Sequence, residues 1–273
     1  MSEAVGRASL LASVLKRDRT IVIAALAAVS VLGWAYTLAG VGMSMNAFEM
    51  IAMGNVGAAL ATPMPWSPSY ALLVFLMWLI MMVAMMLPSA SPMVLLFDAI
   101  ARKRNPQSTF QAGTAAFVSG YLAIWACFSA CAALVHWGLE MSGLLSPMMT
   151  PTSALLGGML LVAAGLYQLT PLKQACLRSC RQPIGFIARH WRAGTGGAFY
   201  MGIVHGTFCL GCCWVLMALL FFGGVMNLYW IAGIATYVLA EKLVPRGRWL
   251  SYAAGALLLV WGVSILAEAV PHI

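Results

Sequence analysis

Apolar residues in this chain come in long continuous runs separated by short stretches that hold the prolines and charges. Seven runs, about 20–38, 70–87, 110–136, 152–169, 198–222, 226–243 and 249–268, approach or exceed the ~20 residues with which a helix crosses the hydrocarbon core of a bilayer. A transmembrane β-barrel would show short alternating segments instead. The pattern therefore predicts an all-α fold: a polytopic transmembrane bundle of about seven helices, with residues 1–19 as a basic tail and 20–268 as one domain. Pro88 and Pro92 are expected to bend or end the second helix. Residues 93–101 then form a short interfacial helix leading to Arg102-Lys103-Arg104. The first run is longer than a signal-peptide core and lacks a clear small-residue cleavage site, so it is expected to be a retained helix. No internal repeat stands out.

Composition agrees with the pattern: 63% of residues are hydrophobic and 8% charged, with a mean hydropathy of +0.92. Soluble domains carry about 25% charged residues. The net charge of +8 would suggest nucleic acid in a soluble protein, but its placement gives another reason. With the N-terminus in the cytoplasm and seven crossings, the cytoplasmic segments hold 4, 3, 5 and 3 basic residues, all 15 in the chain. Such one-sidedness is the positive-inside pattern. The basic residues set orientation and meet anionic headgroups; nucleic acid is not implied. The non-cytoplasmic loops, which contain Glu49, Pro63, Pro65, Glu140, Pro147 and Pro151, hold no cysteine, so a disulfide framework in an oxidising compartment is excluded.

Within this apolar sequence, His205-Gly-Thr-Phe-Cys209-Leu-Gly-Cys212-Cys213 is the densest concentration of chemistry. On a helix turning ~100° per residue, Met201, His205, Cys209, Cys212 and Cys213 fall within an arc of about 120°. Cys209 lies about 11 residues, or ~16 Å, into the fifth predicted helix, near the bilayer midplane. Thiolate and thioether ligands suit Cu(I), and imidazole suits copper or zinc. An imidazole in hydrocarbon also needs a partner, although a buried cysteine is often only a small hydrophobe. Gly202, Gly206 and Gly211 would let another helix approach closely or let the backbone open around a ligand.

Cys176 and Cys180 form a second candidate pair, stacked at i, i+4 if their segment is helical and just cytoplasmic of the fourth predicted helix. Lys173, Arg178 and Arg181 beside them favour thiolate. The pair is open to a metal role, to thiol chemistry, or to a structural or palmitoylated role. Met77, Met81 and Met85, with Met82 and Met86, form a methionine stripe on the second helix. Thioethers bind Cu(I), but methionine is also an adaptable packing residue, and packing is favoured here. Cys127 and Cys131 read as a core pair. Glu241 beside Lys242 at the cytoplasmic end of the sixth predicted helix reads as a snorkelling interfacial pair or as a lure for an incoming cation. Asp98 and Glu268 are also expected to be interfacial, and His136, His190 and His272 carry little weight singly. There is no phosphate-binding loop, no dinucleotide fingerprint and no His-Glu-x-x-His.

Three blocks resemble an uncharacterised bacterial family of predicted metal-binding integral membrane proteins, a domain of unknown function. The first runs from Met77-Trp78 to Met85-Met86-Leu87-Pro88. The second runs from Tyr167-Gln168 through Cys176-x3-Cys180-Arg181-x-Pro183. The third is Cys209-Leu-Gly-Cys212-Cys213-Trp214 continuing through Gly224-Val-Met226-Asn227 to Glu241-Lys242. The resemblance implies a membrane location and a metal site, without a reaction. The resulting expectation is a bacterial inner-membrane protein that holds a soft transition metal, Cu(I) before zinc, on His205, Cys209, Cys212 and Cys213. Cys176 and Cys180 would exchange metal with that site, and Met201, Met81, Met85 and Glu241 are weaker candidates. Its partners would be the bilayer and a metallochaperone or membrane metalloenzyme. A membrane thiol oxidoreductase and a scaffold with cysteines that only pack are the alternatives.

Overall fold

In the computed structural model the apolar runs are helices, and the chain is all-α. The structure describes residues 2–40, 66–104, 110–145, 153–244 and 247–269. The expectations for the loops around Glu49, Pro63, Pro65, Pro147 and Pro151, and for Arg246 and His272, lie outside the described residues.

Helix α1 (Ser2–Leu38) packs on α2 (Pro68–Arg104), and α2 packs on α3 (Phe110–Met141). Helix α4 (Ala154–Leu169) is followed by two short amphipathic helices, α5 (Pro171–Arg181) and α6 (Pro183–His190). The long α7 (Gly194–Ala218) packs against α3 and α5, and a last turn, α8 (Leu220–Gly223), extends it. Helix α9 (Leu228–Leu243) touches α2 and α10 (Gly247–Ala269), and α10 is paired chiefly with α4.

Among the described residues, five helices are long and apolar enough to cross a membrane, carried by α1, α2, α3, α7–α8 and α10. A sixth counts if α4 and α5, bent by 64° at Thr170, form one broken span. Helices α4 and α9 have 16 residues each, about 24 Å at helical rise, against a ~30 Å hydrocarbon core.

Helix α2 corrects the expectation of a break at the prolines: it runs unbroken through Pro88 and Pro92. Each proline removes one N–H from the helical ladder, which costs the bonds to the Ala84 and Pro88 carbonyls, and hydroxyls add bonds to other carbonyls of the same turns. Ser89 donates to the Met86 carbonyl at 2.9 Å and Ser91 to the Leu87 carbonyl at 3.0 Å. The hydroxyl of Tyr121 on α3 adds a bond to the Met86 carbonyl at 3.2 Å. The stretch beyond the prolines is also buried: Met93, Val94 and Phe97 pack with Phe117, Phe186 and Met201. Asp98 and Arg102 are paired inside it at 2.8 Å, with Thr114 donating to Asp98 at 2.9 Å.

The turn at Thr170-Pro171 positions the site. Thr170 ends α4 and caps α5, its hydroxyl oxygen accepting from the Lys173 N–H at 3.3 Å, and Pro171 occupies the first position of α5, where its missing N–H costs nothing. The chain thus changes direction and lays α5 along α7. At the opposite end, Gly224 adopts φ of 89°, a left-handed conformation that suits glycine. Asn227 then caps α9 through Tyr229 N–H at 3.1 Å.

Candidate metal centre

Helix α7 turns the predicted face inward. Met201, His205, Cys209, Cys212 and Cys213 are all buried, while Trp214 is exposed. Glycine makes this possible. A Cβ on Gly202 would collide with the Phe117 carbonyl of α3, and one on Gly206 would stand 3.0 Å from Ile124. The two backbones therefore touch, and the glycines of α7 serve close approach.

The other side of α7 receives α5. A Cβ on Gly211 would stand 2.8 Å from the sulfur of Cys176, so Gly211 is the notch into which that thiol fits. The Tyr167 hydroxyl donates to the Gly211 carbonyl and fixes α4 to the same turn. One turn further along α5, the Cys180 thiol meets those of Cys209 and Cys212. Cys213 in turn interacts with Cys209 and Cys212, and its sulfur is 3.9 Å from the Met86 thioether. Cys180 of α5 thus stands beside Cys209, Cys212 and Cys213 of α7, with the Met86 thioether next to Cys213.

Lys242 enters the same cluster. Its Nζ is 3.1 Å from the Cys209 sulfur and 2.8 Å from the Ser89 hydroxyl oxygen, and the residue is buried. Tyr121 completes the shell, its hydroxyl 3.2 Å from the Cys209 sulfur. A buried ammonium needs a counter-charge, and the anion its surroundings offer is a cysteine thiolate. Five elements (α2, α3, α5, α7 and α9) therefore meet at Cys209.

Cys212 and Cys213 both donate their S–H groups to the Cys209 carbonyl at 3.0 Å. Their thiols are folded back on the helix, and among the described residues no group of three or more His, Cys, Asp or Glu is arranged to hold a metal ion as it stands. A two-sulfur site needs only one pair to turn inward. The donor set is soft throughout, which fits Cu(I) and not calcium or magnesium.

The remaining candidates lie elsewhere. His205 is one turn from Cys209 among aromatic rings, with centroids at 5.4 Å for Phe186, 5.7 Å for Tyr121 and 6.0 Å for Phe117. Met201 accepts the Arg192 N–H at 3.4 Å. Met81 and Met85 are fully packed in the core. Glu241 is not an interfacial partner of Lys242. It is buried and paired with Lys173 of α5 at 2.7 Å, and it accepts from Tyr237 at 3.0 Å and Ser251 at 2.5 Å. Gln168 also accepts from Lys173. Adjacent residues on a helix point ~100° apart, so Glu241 and Lys242 serve two different networks. Cys127 and Cys131, read as a core pair, are exposed on the outer face of α3.

Tyr121 is the site residue that sequence reasoning passed over, while Met86 was read as packing and Lys242 only as the neighbour of Glu241. The ~100° rule would have separated Lys242 from Glu241. Nothing local would have directed Tyr121 to a thiol 88 positions away.

A copper chaperone family, PpoB2, matches residues 75–265. This is more than half of the 273 residues and takes in the thiol cluster, Met86 and Lys242, so the chain belongs to that family. No curated protein and no solved structure matches it.

Proposed function

We propose that this member of a copper chaperone family is an integral membrane protein that binds Cu(I) on its thiol cluster and delivers it to a copper-requiring membrane partner. Two of the four thiols of Cys180, Cys209, Cys212 and Cys213 supply the ligands as thiolates, Met86 stands beside them, and Lys242 balances the charge. The observation that carries this reading is the Lys242 ammonium against the Cys209 sulfur inside a group of four thiols. One Cu(I) with two thiolates bears a single negative charge, which one ammonium neutralises. Zn(II) with two thiolates is already neutral and would leave Lys242 uncompensated. Low polarity around the site makes that difference count.

Five long apolar helices and the clustering of all 15 basic residues on one predicted side support a multi-pass protein of the bacterial inner membrane, its N-terminus cytoplasmic, with α4 and α9 completing seven crossings. Membership of a copper chaperone family supports delivery as the activity. The test is copper content after anaerobic, reducing purification with copper supplied. The wild type is expected to carry about one tightly held copper that Cys209→Ser and Cys212→Ser lose. Metal-free wild type would overturn the reading.

A second reading treats the same thiols as a redox couple, since Cys180 on α5 meets Cys209 and Cys212 on α7. Thiol–disulfide exchange requires such access. Trapping a Cys180–Cys209 or Cys180–Cys212 disulfide during turnover, in protein that retains no copper, would favour it.

A further inference from the structure

Buried polar atoms without partners are rare in folded proteins, and each asks for a water, an ion or a ligand. Among the described residues, the side-chain atoms in this position are the indole nitrogens of Trp78 and Trp125, both ring nitrogens of His136, and Nδ1 of His205. Apart from His205 on α7, they lie on two helices. Trp78 lies on α2, and Trp125 and His136 lie on α3, two helices that pack on each other.

The register of that pair can be read at both ends. At one end the Tyr121 hydroxyl touches both the Met86 carbonyl and the Cys209 sulfur. At the other end the ring of Trp66 lies 4.9 Å from Tyr70 and 6.4 Å from His136. From Met86 to Tyr70 is about 24 Å of helix, and from Tyr121 to His136 about 22 Å. The α2–α3 interface therefore leads from the thiol cluster across most of a ~30 Å hydrocarbon core. On the stretch of α2 between these ends, Met77, Met81, Met82, Met85 and Met86 are all at most 2% exposed and belong to the core cluster that also holds Tyr121, Trp125 and Cys209. Phe221 touches Trp78 at 5.0 Å and His136 at 6.2 Å.

His136 is 1% exposed, and an imidazole with neither nitrogen bonded is costly to bury. Glu140 follows one helical turn later, its Oε2 3.9 Å from His136 Nε2. The same oxygen accepts from the Trp66 indole at 2.9 Å. Imidazole suits copper, and a neutral thioether is a soft ligand that carries no charge of its own into the interior.

We propose that His136, with Glu140, is a second copper-binding position at the opposite end of the bundle, and that the buried methionines of α2 join it to the thiol cluster. Cu(I) passes between neutral sulfur ligands without changing its oxidation state, and His136 receives it where the partner collects it. This rests on the thiol cluster being the first copper site, and the test separates the two.

Full-length protein in lipid nanodiscs is titrated anaerobically with chelator-buffered Cu(I). Two copper ions per chain are expected. His136→Gln should lose the weaker and keep the tighter, whereas Cys209→Ser with Cys212→Ser should lose the tighter. If the cysteine variant binds as the wild type does, the function proposed above fails. If it loses copper while His136→Gln changes nothing, the second site alone fails, and a bridging water on His136 would give that result. Should His136→Gln lose both ions through misfolding, Glu140→Gln decides: a weaker site loosened at least tenfold supports the proposal, and an unchanged one overturns it. In liposomes with a chelator trapped on the His136 side, Met77→Leu with Met82→Leu should slow copper arrival at least tenfold with the tight site intact. An unchanged rate overturns the route.

Discussion

Glu241 and Lys242 are neighbours in sequence and both are buried, yet they belong to different kinds of structure. Glu241 meets Lys173, and that ion pair is closed on every side by Gln168, Tyr237 and Ser251. Its charges cancel whatever else happens in the molecule. Lys242 meets a hydroxyl and a thiol, so its balance depends on whether Cys209 is a thiolate and on what that thiolate holds. The first arrangement is architecture: it fastens α5, and with it Cys176 and Cys180, to α9 and α10. The second is a charge waiting for cargo. A complete set of partners distinguishes a buried charge that holds a fold from one that answers to a ligand.

The sharpest way to break this comparison is to remove Glu241. Glu241→Ala strands the Lys173 ammonium in the interior, and the expected loss is about 3–5 kcal/mol of stability, read as a collapse of thermal stability in detergent. Glu241→Leu with Lys173→Met should recover much of it. If Glu241→Ala is as stable as the wild type, the pair is not the fastening described here.

Lys242→Met should do the opposite. Without the ammonium, Cys209 takes up a proton and no buried charge is stranded, so stability should be nearly unchanged. Cu(I) affinity should fall at least tenfold, or about 1.4 kcal/mol. A competition titration with a Cu(I) chelator reads this directly, and unchanged affinity would remove Lys242 from the site.

A smaller effect separates the two cysteines of α5. Cys180→Ser removes a thiol in contact with Cys209 and Cys212 and should weaken Cu(I) by about tenfold. Cys176→Ser alters a packing contact against Gly211 and should change affinity by less than about threefold. The reverse order would mean that α5 presents the other cysteine to the metal. Smallest of all, Cys127→Ser and Cys131→Ser should leave copper content and stability unchanged, because both side chains face outward. Loss of copper from either would show that the outer face of α3 is part of the site.

Much of this molecule was legible before its fold. The helices follow from the length of the apolar runs, because every backbone group in a long apolar stretch must find its hydrogen bond within the helix itself. The shared face of Cys209, Cys212 and Cys213 follows from helical spacing alone. The prolines of α2 misled, because proline weakens a helix locally while the packing of Met93, Val94 and Phe97 beyond it holds the helix in line. Cys127 and Cys131 misled in another way: spacing says that two residues share a face, but not which way that face points.

Local rules, then, determined which residues stand together on one helix, since the 3.6-residue period acts over a few positions and needs no neighbour. Only the tertiary structure decided what each face meets. The 64° turn at Thr170-Pro171 brings Cys180 to Cys209, and the end of α9 sends Lys242 to the thiols and Glu241 to Lys173. Those pairings join positions 29 to 68 residues apart. Contacts at that range depend on how whole helices pack, through Gly202 and Gly211 among others, and helical periodicity carries no record of them.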